Sequence, residues 1–377
     1  MQKRNFRRIL IVRLSSLGDV IQTLPLPSVV REAYPKAEIG WAIDRELAPA
    51  IAGHLDVNRV HQCDRLRWGR SLRTPTEWRR TMSEARRFID EVRAVGYDCA
   101  LDVQGLLKSA VIPFFAGIPV RVGFAHGREL SYFFYTERYL NNAEYFDHSL
   151  MHVDHMMVLA RAIGCRSDGY QVRLPPLPPT MKAQIDDLLP FDHDTPLIAL
   201  APATQWKSKA WPFEHWLSLL QMALAETPAN IVLIGAEDDR TLTTCLIDSL
   251  EARHRTRILN LAGKTSISQL YALFARVSAI VAADTAPLHI AAAAGCDLIG
   301  LFGATPTHRT GPMGSGEIIL MTAQPNLACQ PCQQRTCRFG TTECMRNVRP
   351  EEVSQALNNL LARRRARAIP SVTIAGK

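Results

Sequence analysis

A carboxylate, a hydroxyl and a proline follow an apolar run late in the chain. Residues 279–283 predict a buried strand, and Asp284, Thr285 and Pro287 come directly after it. Pro287 suits the first turn of a helix, where an N–H would have no partner, and the alanine-rich helix ends at Gly295. The free N–H groups at such a helix start attract an anion, usually a phosphate. An ordinary strand–helix turn capped by Asp284 or Thr285 is the alternative.

A second loop after a predicted strand has the groups that bind phosphate oxygens. Residues 201–212 include Thr204, Gln205, Lys207 and Lys209. A hydroxyl, an amide and two ammonium groups suit the oxygens of a diphosphate, and a solvated lysine is the alternative for Lys209. Neither loop has a Walker A or Gly-x-Gly-x-x-Gly pattern, which argues against ATP hydrolysis and hydride transfer.

Two further positions extend this predicted nucleotide site. Glu237 follows the strand predicted over 230–234, where an acid can accept both hydroxyls of a ribose, and helix capping by Asp238 or Asp239 is the alternative. His289 lies one helical turn beyond Thr285 and either contacts the diphosphate or sugar, or packs inside the helix.

The loop after the first predicted strand supplies a candidate general base. Gly18 permits a tight turn there, and Asp19 opens the next helix. The positive end of a helix keeps a carboxylate ionised, which a base requires, although it also weakens that base. Asp19 as a simple N-cap is the alternative, and Asp102 at the end of another strand is the rival base.

The positive charge is concentrated in one segment. The net charge is +8, and residues 59–93 hold ten arginines against five acids. These arginines are at positions 59, 65, 67, 70, 73, 79, 80, 86, 87 and 93. The segment would attract a phosphorylated lipid or a membrane surface, and a solvated helix face with arginine–acid pairs is the alternative. Aromatic residues are not interleaved as in single-strand binders, which makes nucleic acid the weaker partner.

Four cysteines near the C-terminus have the count of a metal site. They are Cys329, Cys332, Cys337 and Cys344, within sixteen residues. Four thiolates can hold a structural zinc or iron ion, but the spacings differ from those of a zinc finger. Reduced thiols packed in a loop are the alternative.

Strands and helices alternate twice along the chain. A chain of 377 residues is long enough for two domains. A proline-rich connector over 174–180 separates an N-terminal domain, 1–174, from a second domain, 180–350, and a helix with a basic tail follows over 351–377. The alternation predicts two doubly wound parallel sheets with the ligand in the cleft between them. Their elements must bring the polar loops to the carboxyl ends of the strands.

Composition predicts a cytoplasmic protein. The chain is 47% hydrophobic and 21% charged, as in soluble globular proteins. No run reaches the roughly 18 apolar residues of a membrane span, and the basic N-terminus precedes an apolar run too short for a signal peptide. Nine cysteines, five of them scattered singly, favour a reducing compartment.

Four motifs in register resemble a known family. They are Ser-Ser-Leu-Gly-Asp at 15–19, Asp-Val-Gln-Gly-Leu-Leu-Lys-Ser at 102–109, Lys-Ala-Trp-Pro at 209–212, and Asp-Thr-Ala-Pro-Leu-His at 284–289. Over roughly residues 8–350 the chain resembles the lipopolysaccharide heptosyltransferases of glycosyltransferase family 9. Ala286 stands where the family has a glycine. The 102–109 segment and Arg128 resemble the heptosyltransferase I branch, whereas the cysteine-rich tail resembles heptosyltransferase II and the metal-bearing protein heptosyltransferases.

The resemblance implies a GT-B fold, with two facing Rossmann-like domains, and an inverting transfer that needs no metal. Asp19 would deprotonate the acceptor hydroxyl. Thr204, Gln205 and Lys209, with the amides around 284–286, would stabilise the departing diphosphate of ADP. Such a leaving group needs protein cations and helix N-termini where no Mg²⁺ assists.

The resemblance also implies the substrates. The donor is ADP-heptose, and the acceptor is Kdo-lipid A or the core oligosaccharide at the cytoplasmic face of the inner membrane, reached by peripheral contact. Arg65, Arg67, Asp102, Lys108 and Arg128 are the predicted acceptor contacts. The alternatives are a protein (autotransporter) heptosyltransferase, an epimerase on the same fold, and a non-catalytic module that binds nucleotide sugars or anionic surfaces.

Overall fold

The computed structural model describes residues 4–71, 75–139 and 150–368. The chain divides into two compact units, 1–176 and 177–377, and the division lies between Pro176 and Leu177, inside the proline-rich connector. Each unit is built around one six-stranded sheet in which every pairing between neighbouring strands is parallel.

The first unit alternates strands with helices throughout. Its strands are β1 (Arg8–Val12), β2 (Glu38–Asp44), β3 (Arg59–Cys63), β4 (Cys99–Asp102), β5 (Val120–Phe124) and β6 (Glu137–Tyr139). Its helices are α1 (Leu17–Thr23), α2 (Pro25–Ala33), α3 (Arg65–Ser71), α4 (Trp78–Val95), α5 (Leu107–Phe115) and α6 (His152–Ala162). The sheet order is β3-β2-β1-β4-β5-β6, which is the Rossmann order.

The second unit repeats this plan. Its strands are β7 (Leu197–Ala201), β8 (Asn230–Leu233), β9 (Ile258–Asn260), β10 (Ala279–Ala283), β11 (Leu298–Phe302) and β12 (Ile318–Thr322). Its helices are α7 (Pro179–Leu188), α8 (Phe213–Glu226), α9 (Arg240–Asp248), α10 (Ala252–Arg255), α11 (Ile267–Arg276), α12 (Ala286–Ala293), α13 (Thr307–Thr310), α14 (Glu343–Arg346) and α15 (Pro350–Ala368). The order β12-β11-β10-β7-β8-β9 is again the Rossmann order.

Continuous apolar runs form the central strands because helices cover both faces of each sheet. β7, β10 and β11 are buried at every position, as parallel strands between two helical layers must be. The last helix, α15, packs on α8 and against β10 and β11. Residues 350–368 therefore belong to the second unit rather than forming a separate tail, and residues 369–377 lie outside the described part of the chain.

Local signals explain most of the element ends. α1 and α2 meet at Leu24, and Pro25 begins α2 because a proline is tolerated in the first turn of a helix. Gly96 ends α4 with φ +70°, a left-handed conformation that favours glycine. α6 begins at His152, and positions 140–149 before it lie outside the described residues.

Gly123 in β5 is a close contact on which the first unit depends. A Cβ at this position would lie 2.3 Å from the Tyr135 ring, and Tyr135 is buried with its hydroxyl bonded to Asp102. We predict that Gly123→Ala destabilises the protein by about 1–3 kcal/mol because the ring must move. Urea unfolding measures the change.

Gly69→Ala is the matched control for this experiment. Gly69 lies in α3 with open space around its Cβ position, and alanine favours helix, so this variant should unfold at or slightly above the wild-type midpoint. Equal midpoints for Gly123→Ala and the wild type would show that the Tyr135 contact carries no such constraint.

Candidate active site

The loops after β1 and β4 meet where the strand order of the first sheet reverses. Val12 lies beside Asp102 in the sheet, so both loops leave the same edge. The Arg13 Nη1 donates to the Val103 carbonyl at 3.0 Å, and the Leu14 amide donates to Gln104 Oε1 at 2.8 Å. These bonds fix the backbone that precedes Asp19.

Asp19 lies over a buried cation. Its Oδ2 is 2.8 Å from Arg13 Nη2 and accepts hydrogen bonds from the Ser16 amide at 3.1 Å and the Ser16 hydroxyl at 3.0 Å. The Asp19 side chain is 36% exposed, whereas that of Arg13 is 5% exposed. A ligand can therefore reach the carboxylate from solvent, while the guanidinium stays beneath it.

These neighbours decide the charge of Asp19. Burial by itself would raise the pKa of Asp19. This effect is outweighed by Arg13, then by His152, whose Nε2 lies 3.6 Å from Asp19 Oδ1, and by the two Ser16 bonds, which together lower the pKa to about 2. Asp19 is thus ionised at neutral pH and is a weak base. The bonds to Ser16 also close the first turn of α1, so Asp19 both caps the helix and remains open to solvent.

Asp102 is buried at the end of β4, and neighbouring groups bond both of its oxygens. It is 1% exposed, and it accepts hydrogen bonds from the Ser109 hydroxyl at 2.8 Å and the Tyr135 hydroxyl at 2.7 Å. The amides of Gln104 and Gly105 donate to its other oxygen. Burial raises its pKa, and these bonds oppose the rise. In this geometry the carboxylate anchors the β4 loop, and its use as an acceptor contact or rival base stays a prediction.

Much of the arginine-rich segment forms local ion pairs. The Nε and Nη2 of Arg65 donate to the Asp44 carboxylate, and Arg67 donates to Asp64 and Glu84. Arg59, Arg80, Arg86 and Arg93 also have acidic partners. Arg65 and Arg67 are thus tied to acids and are 29% and 39% exposed. Pairing with acids, the alternative to an anion-binding surface, thus accounts for these six arginines, of which Arg59 lies on β3, and Arg73 lies outside the described residues.

Lys108 and Arg128 are the remaining predicted acceptor contacts. The Lys108 ammonium donates to the Ser15 hydroxyl at 3.3 Å, next to the Asp19 loop. Burial, and secondly the charge of Arg65, lower the pKa of Lys108. Arg128 is exposed, and its backbone amide bonds the Gly105 carbonyl at the end of the β4 loop. The structure places Lys108 beside the loop that carries Asp19 and Arg128 next to the β4 loop.

The first unit also exposes a cluster of large apolar side chains, which we call the aromatic–arginine face. Its members are Leu66, Trp78, Met82, Leu107, Phe114, Phe115, Leu130 and Phe133, each more than 40% exposed. They lie on α3, α4, α5 and the turn Ser131–Phe134, which Leu130 directly precedes, and these elements contact one another in sequence. The exposed Arg70, Arg79 and Arg87 belong to the same helices and have no acidic partner among the described residues.

In the second unit the loops after β7 and β10 meet at the corresponding reversal of strand order. Lys209 Nζ lies 2.7 Å from Asp284 Oδ2 and 3.3 Å from the Asp284 carbonyl. The two side chains are 15% and 6% exposed. The ammonium also lies 4.5 Å from the centre of the Trp206 ring, a cation–π distance. The pair therefore holds Lys209 in one place at the sheet edge.

Asp284 is the centre of a network of side-chain contacts in this site. The hydroxyls of Thr305 and Thr310 donate to its Oδ2 at 2.7 Å and 3.3 Å, and His289 Nε2 lies 3.3 Å from its Oδ1. Burial would raise the pKa of Asp284, but His289 and Lys209 lower it well below its usual range. Asp284 and His289 are both buried and bond each other, and direct donor contacts by these two residues stay a prediction.

The groups left open around Lys209 are the other predicted donor contacts. Thr204 is half-buried with its hydroxyl donating to the Trp206 carbonyl, and Gln205 is exposed. Thr285 adopts an extended conformation before α12, and Ala286 begins that helix; both are half-buried. The start of α12 thus points N–H groups to the same sheet edge as Lys209.

Glu237 is free of the capping role. Asp239 takes it, since its Oδ2 accepts from the Ala236 amide at 2.7 Å. The Glu237 side chain is 65% exposed and pairs with Arg240 at 2.8 Å. It also lies against Gly263, since a Cβ placed on Gly263 would be 1.9 Å from Glu237 Oε2. Its carboxylate is thus accessible at the carboxyl end of β8.

Sequence reasoning missed several side chains of these sites. Arg13 directly follows the apolar strand β1 and could have been found from that position. His152 begins α6, more than 130 residues away, and no spacing signals it. Thr305 and Thr310 follow β11, so the strand-end argument used for the other loops would have included them.

The four cysteines are not arranged as a metal centre. Across the residues that the structure describes, no group of three or more His, Cys, Asp or Glu side chains is placed to hold a metal ion. Burial raises the pKa of the Cys344 thiol to about 11, and the nearby thiols of Cys332, Cys329 and Cys337 add to the rise. The described residues therefore do not confirm the predicted zinc or iron ion.

Comparison with known proteins decides the family. The model of glycosyltransferase family 9 (heptosyltransferase) matches residues 85–343. The chain belongs to this family. Its GT-B fold, with two Rossmann-like units, and its class as a glycosyltransferase confirm those two predictions.

Individual relatives cover nearly the whole chain. Lipopolysaccharide heptosyltransferase 1 of Pseudomonas aeruginosa is 28% identical, over 94% of this chain and 98% of its own. Lipooligosaccharide heptosyltransferase 2 of Haemophilus influenzae is 26% identical, over 94% and 99%. The solved structure of Escherichia coli ADP-heptose lps heptosyltransferase II superposes with a TM-score of 0.76 at 22% identity, over 95% and 99%.

The Lys209–Asp284 pair yields a prediction on stability. Asp284→Asn would leave the Lys209 ammonium, only 15% exposed, without its counter-charge. We expect a loss of about 3–5 kcal/mol in the free energy of unfolding, because breaking one partner of a buried pair leaves an uncompensated charge. Urea unfolding followed by tryptophan fluorescence measures it.

Asp238→Asn is the control, since Asp238 is an exposed carboxylate in the same unit. We expect its midpoint to stay at the wild-type value. If Asp284→Asn unfolds at the same urea concentration as Asp238→Asn, the pair does not organise the second unit.

Proposed function

We propose that this glycosyltransferase transfers heptose from ADP-heptose to the Kdo or heptose residues of the lipopolysaccharide inner core. The observation that carries the proposal is the exposed Asp19 carboxylate, held ionised over Arg13. The names of the relatives supply the heptose and the lipopolysaccharide, and the family supplies the reaction class.

The first unit would bind the acceptor and accept its proton. The acceptor hydroxyl donates to Asp19 and loses its proton to that carboxylate as its oxygen bonds the anomeric carbon. The ordered hydrogen bonds from Ser16 hold the carboxylate in one orientation for this transfer. A carboxylate with a pKa near 2 is a weak base. It therefore accepts the proton late in the transfer, when bonding to the anomeric carbon has already made the acceptor hydroxyl acidic.

The second unit would hold the donor. As the bond between the anomeric carbon and the diphosphate oxygen breaks, its electron pair moves to ADP and negative charge grows there. Lys209, fixed by Asp284, and the N–H groups at the start of α12 stabilise that charge, with Thr204 and Gln205 beside them. Glu237 would bind the ribose hydroxyls. We infer that transfer proceeds without a bound metal because these groups are cations and helix dipoles of the protein.

We also propose that the enzyme binds peripherally at the cytoplasmic face of the inner membrane. Over the described residues, no helix is long and apolar enough to cross a bilayer. The aromatic–arginine face joins exposed rings with unpaired arginines, the combination that binds an anionic lipid surface. All nine cysteines are free thiols, which fits a reducing compartment. Lys108 and Arg128, beside the Asp19 loop, would meet the anionic Kdo.

The first test is ADP release from ADP-heptose by the purified protein, with Kdo-lipid A and EDTA. We predict acceptor-dependent release that Asp19→Asn lowers by about 100-fold or more, as loss of a general base does. ADP affinity, measured by calorimetry, should stay unchanged because Asp19 is not in the donor-binding unit.

Asp168→Asn, an exposed carboxylate of the same unit, is the control and should turn over normally. A wild-type rate for Asp19→Asn would remove Asp19 from catalysis. No release by the wild type with any lipopolysaccharide acceptor, together with tight ADP-heptose binding, would support a protein acceptor or a binding module instead.

The Arg13–Asp19 pair predicts a pH dependence. The carboxylate must be ionised to accept a proton, and with a pKa of about 2 it stays so throughout the stable range of the wild type. Arg13→Gln removes the main group that lowers this pKa, so the acidic limb of the kcat/KM profile should move upward, to pH 4 or above.

Arg13→Lys keeps a positive charge and is the matched control, which should retain most of the wild-type profile. The profiles are measured by ADP release between pH 4 and pH 8. An unchanged acidic limb in Arg13→Gln would show that Asp19 is not the group whose ionisation limits the rate.

A further inference from the structure

A groove in the first unit lies between α3, α4 and α5 and is unused by the proposed reaction. It encloses about 580 Å³, within the range of sites that bind small ligands. Its walls are apolar: Trp68 on α3, Met82, Phe88 and Ile89 on α4, and Ile112 and Phe115 on α5. Along α5 the lining runs from Lys108 to Phe115, about 10 Å at the helical rise.

The polar groups of this groove are almost all cationic. Arg65 and Lys108 lie at one part of its lining, and Arg86 and Arg93 lie on α4 with Asp90 as the one acid among the lining residues. Asp90 pairs with both α4 arginines, and Arg93 also donates to the Phe115 carbonyl. A sugar would find few hydrogen-bonding partners on the apolar walls. An anionic molecule with an apolar chain matches both the walls and the cations.

The groove begins at the proposed base. Leu14, part of its lining, precedes Ser15 and Ser16. Lys108 Nζ lies 3.3 Å from the Ser15 hydroxyl, and the Ser16 hydroxyl lies 3.0 Å from Asp19 Oδ2. A ligand whose chain fills the groove would therefore hold its polar end beside the reacting carboxylate. The groove also opens within the aromatic–arginine face, since Met82 and Phe115 belong to both.

We propose that the α3–α4–α5 groove binds one acyl chain of the phosphorylated acceptor lipid and so positions its headgroup at Asp19. The identity of the acceptor in this inference rests on the proposed function. The affinity of the groove for an anionic molecule with an acyl chain does not depend on that function. Each methylene moved from water into such a wall strengthens binding about fourfold. An acylated acceptor should therefore have a lower KM than its deacylated form. The reaction at Asp19 is the same for both acceptors.

A direct binding experiment tests the groove without the reaction. The probe is 12-bromododecyl phosphate below its micelle concentration, because bromine quenches a tryptophan that it touches. The Trp68 emission is obtained as the difference between the wild type and Trp68→Phe. This difference separates Trp68 from the other five tryptophans. We expect saturable quenching of this part in the full-length wild-type protein.

Two variants of one helix separate the groove from the surface around it. Ala85 lines the groove on α4, and Ala94 is exposed on the same helix outside the lining. Ala85→Phe should weaken quenching at least 10-fold, and Ala94→Phe should leave it unchanged. Val111→Phe blocks the groove from α5 and replaces Ala85→Phe if that variant fails to fold. Equal quenching in blocked and control variants would overturn the proposal, because the chain would then lie on the exposed face.

Kinetics connects the groove to the acceptor. With Kdo-lipid A, Ala85→Phe should raise KM about 10-fold with kcat little changed, and with the fully deacylated acceptor it should change neither. A wild-type KM that is equal for both acceptors would overturn the acyl-chain assignment. Absence of ADP release by the wild type with either acceptor would overturn the proposed function instead, and the quenching result would still decide whether the groove binds a chain.

Discussion

Each unit places a carboxylate–cation pair at the point where its strand order reverses, and the candidate site depends on these two pairs. In a parallel sheet of this order, the loops after the two central strands leave the same edge in opposite directions and open a crevice. Arg13–Asp19 lies at this point in the first unit and Lys209–Asp284 in the second. The sheets therefore supply the same geometry twice.

The two pairs use that geometry in opposite ways. In the first unit the cation is buried and the carboxylate is partly exposed, so the group open to a ligand is an ionised carboxylate. In the second unit the carboxylate is 6% exposed and the ammonium 15%, and two threonines and a histidine hold the carboxylate in place. The group offered there is a cation. An acid–base step and the stabilisation of a leaving diphosphate need these two different groups.

Local rules of sequence predict the fold well because they act strongly in this chain. The fully apolar strand β10 has the bounds predicted for it, 279–283, since a strand covered on both faces has no polar position to obscure its ends. Short or polar elements carry a weaker signal in the sequence: α3 has no buried residue, and β6 has three residues, none of them buried. α7 begins in the proline-rich segment, where Pro179 occupies the first turn, so the same prolines that mark a linker also start a helix.

The site is predicted less completely because contact partners come from distant parts of the chain. Position at a strand end identified Asp19, Lys209 and Asp284 correctly as residues of the sheet edge, but it could not tell which oxygen would face solvent. Asp102 shows the limit: it ends a strand as Asp284 does, yet Tyr135 and Ser109 close over it. Tyr135 reaches Asp102 only because Gly123 leaves room for its ring. The accessibility of a carboxylate is thus a property of tertiary packing, and it separates a base from an anchor where the sequence shows only two aspartates.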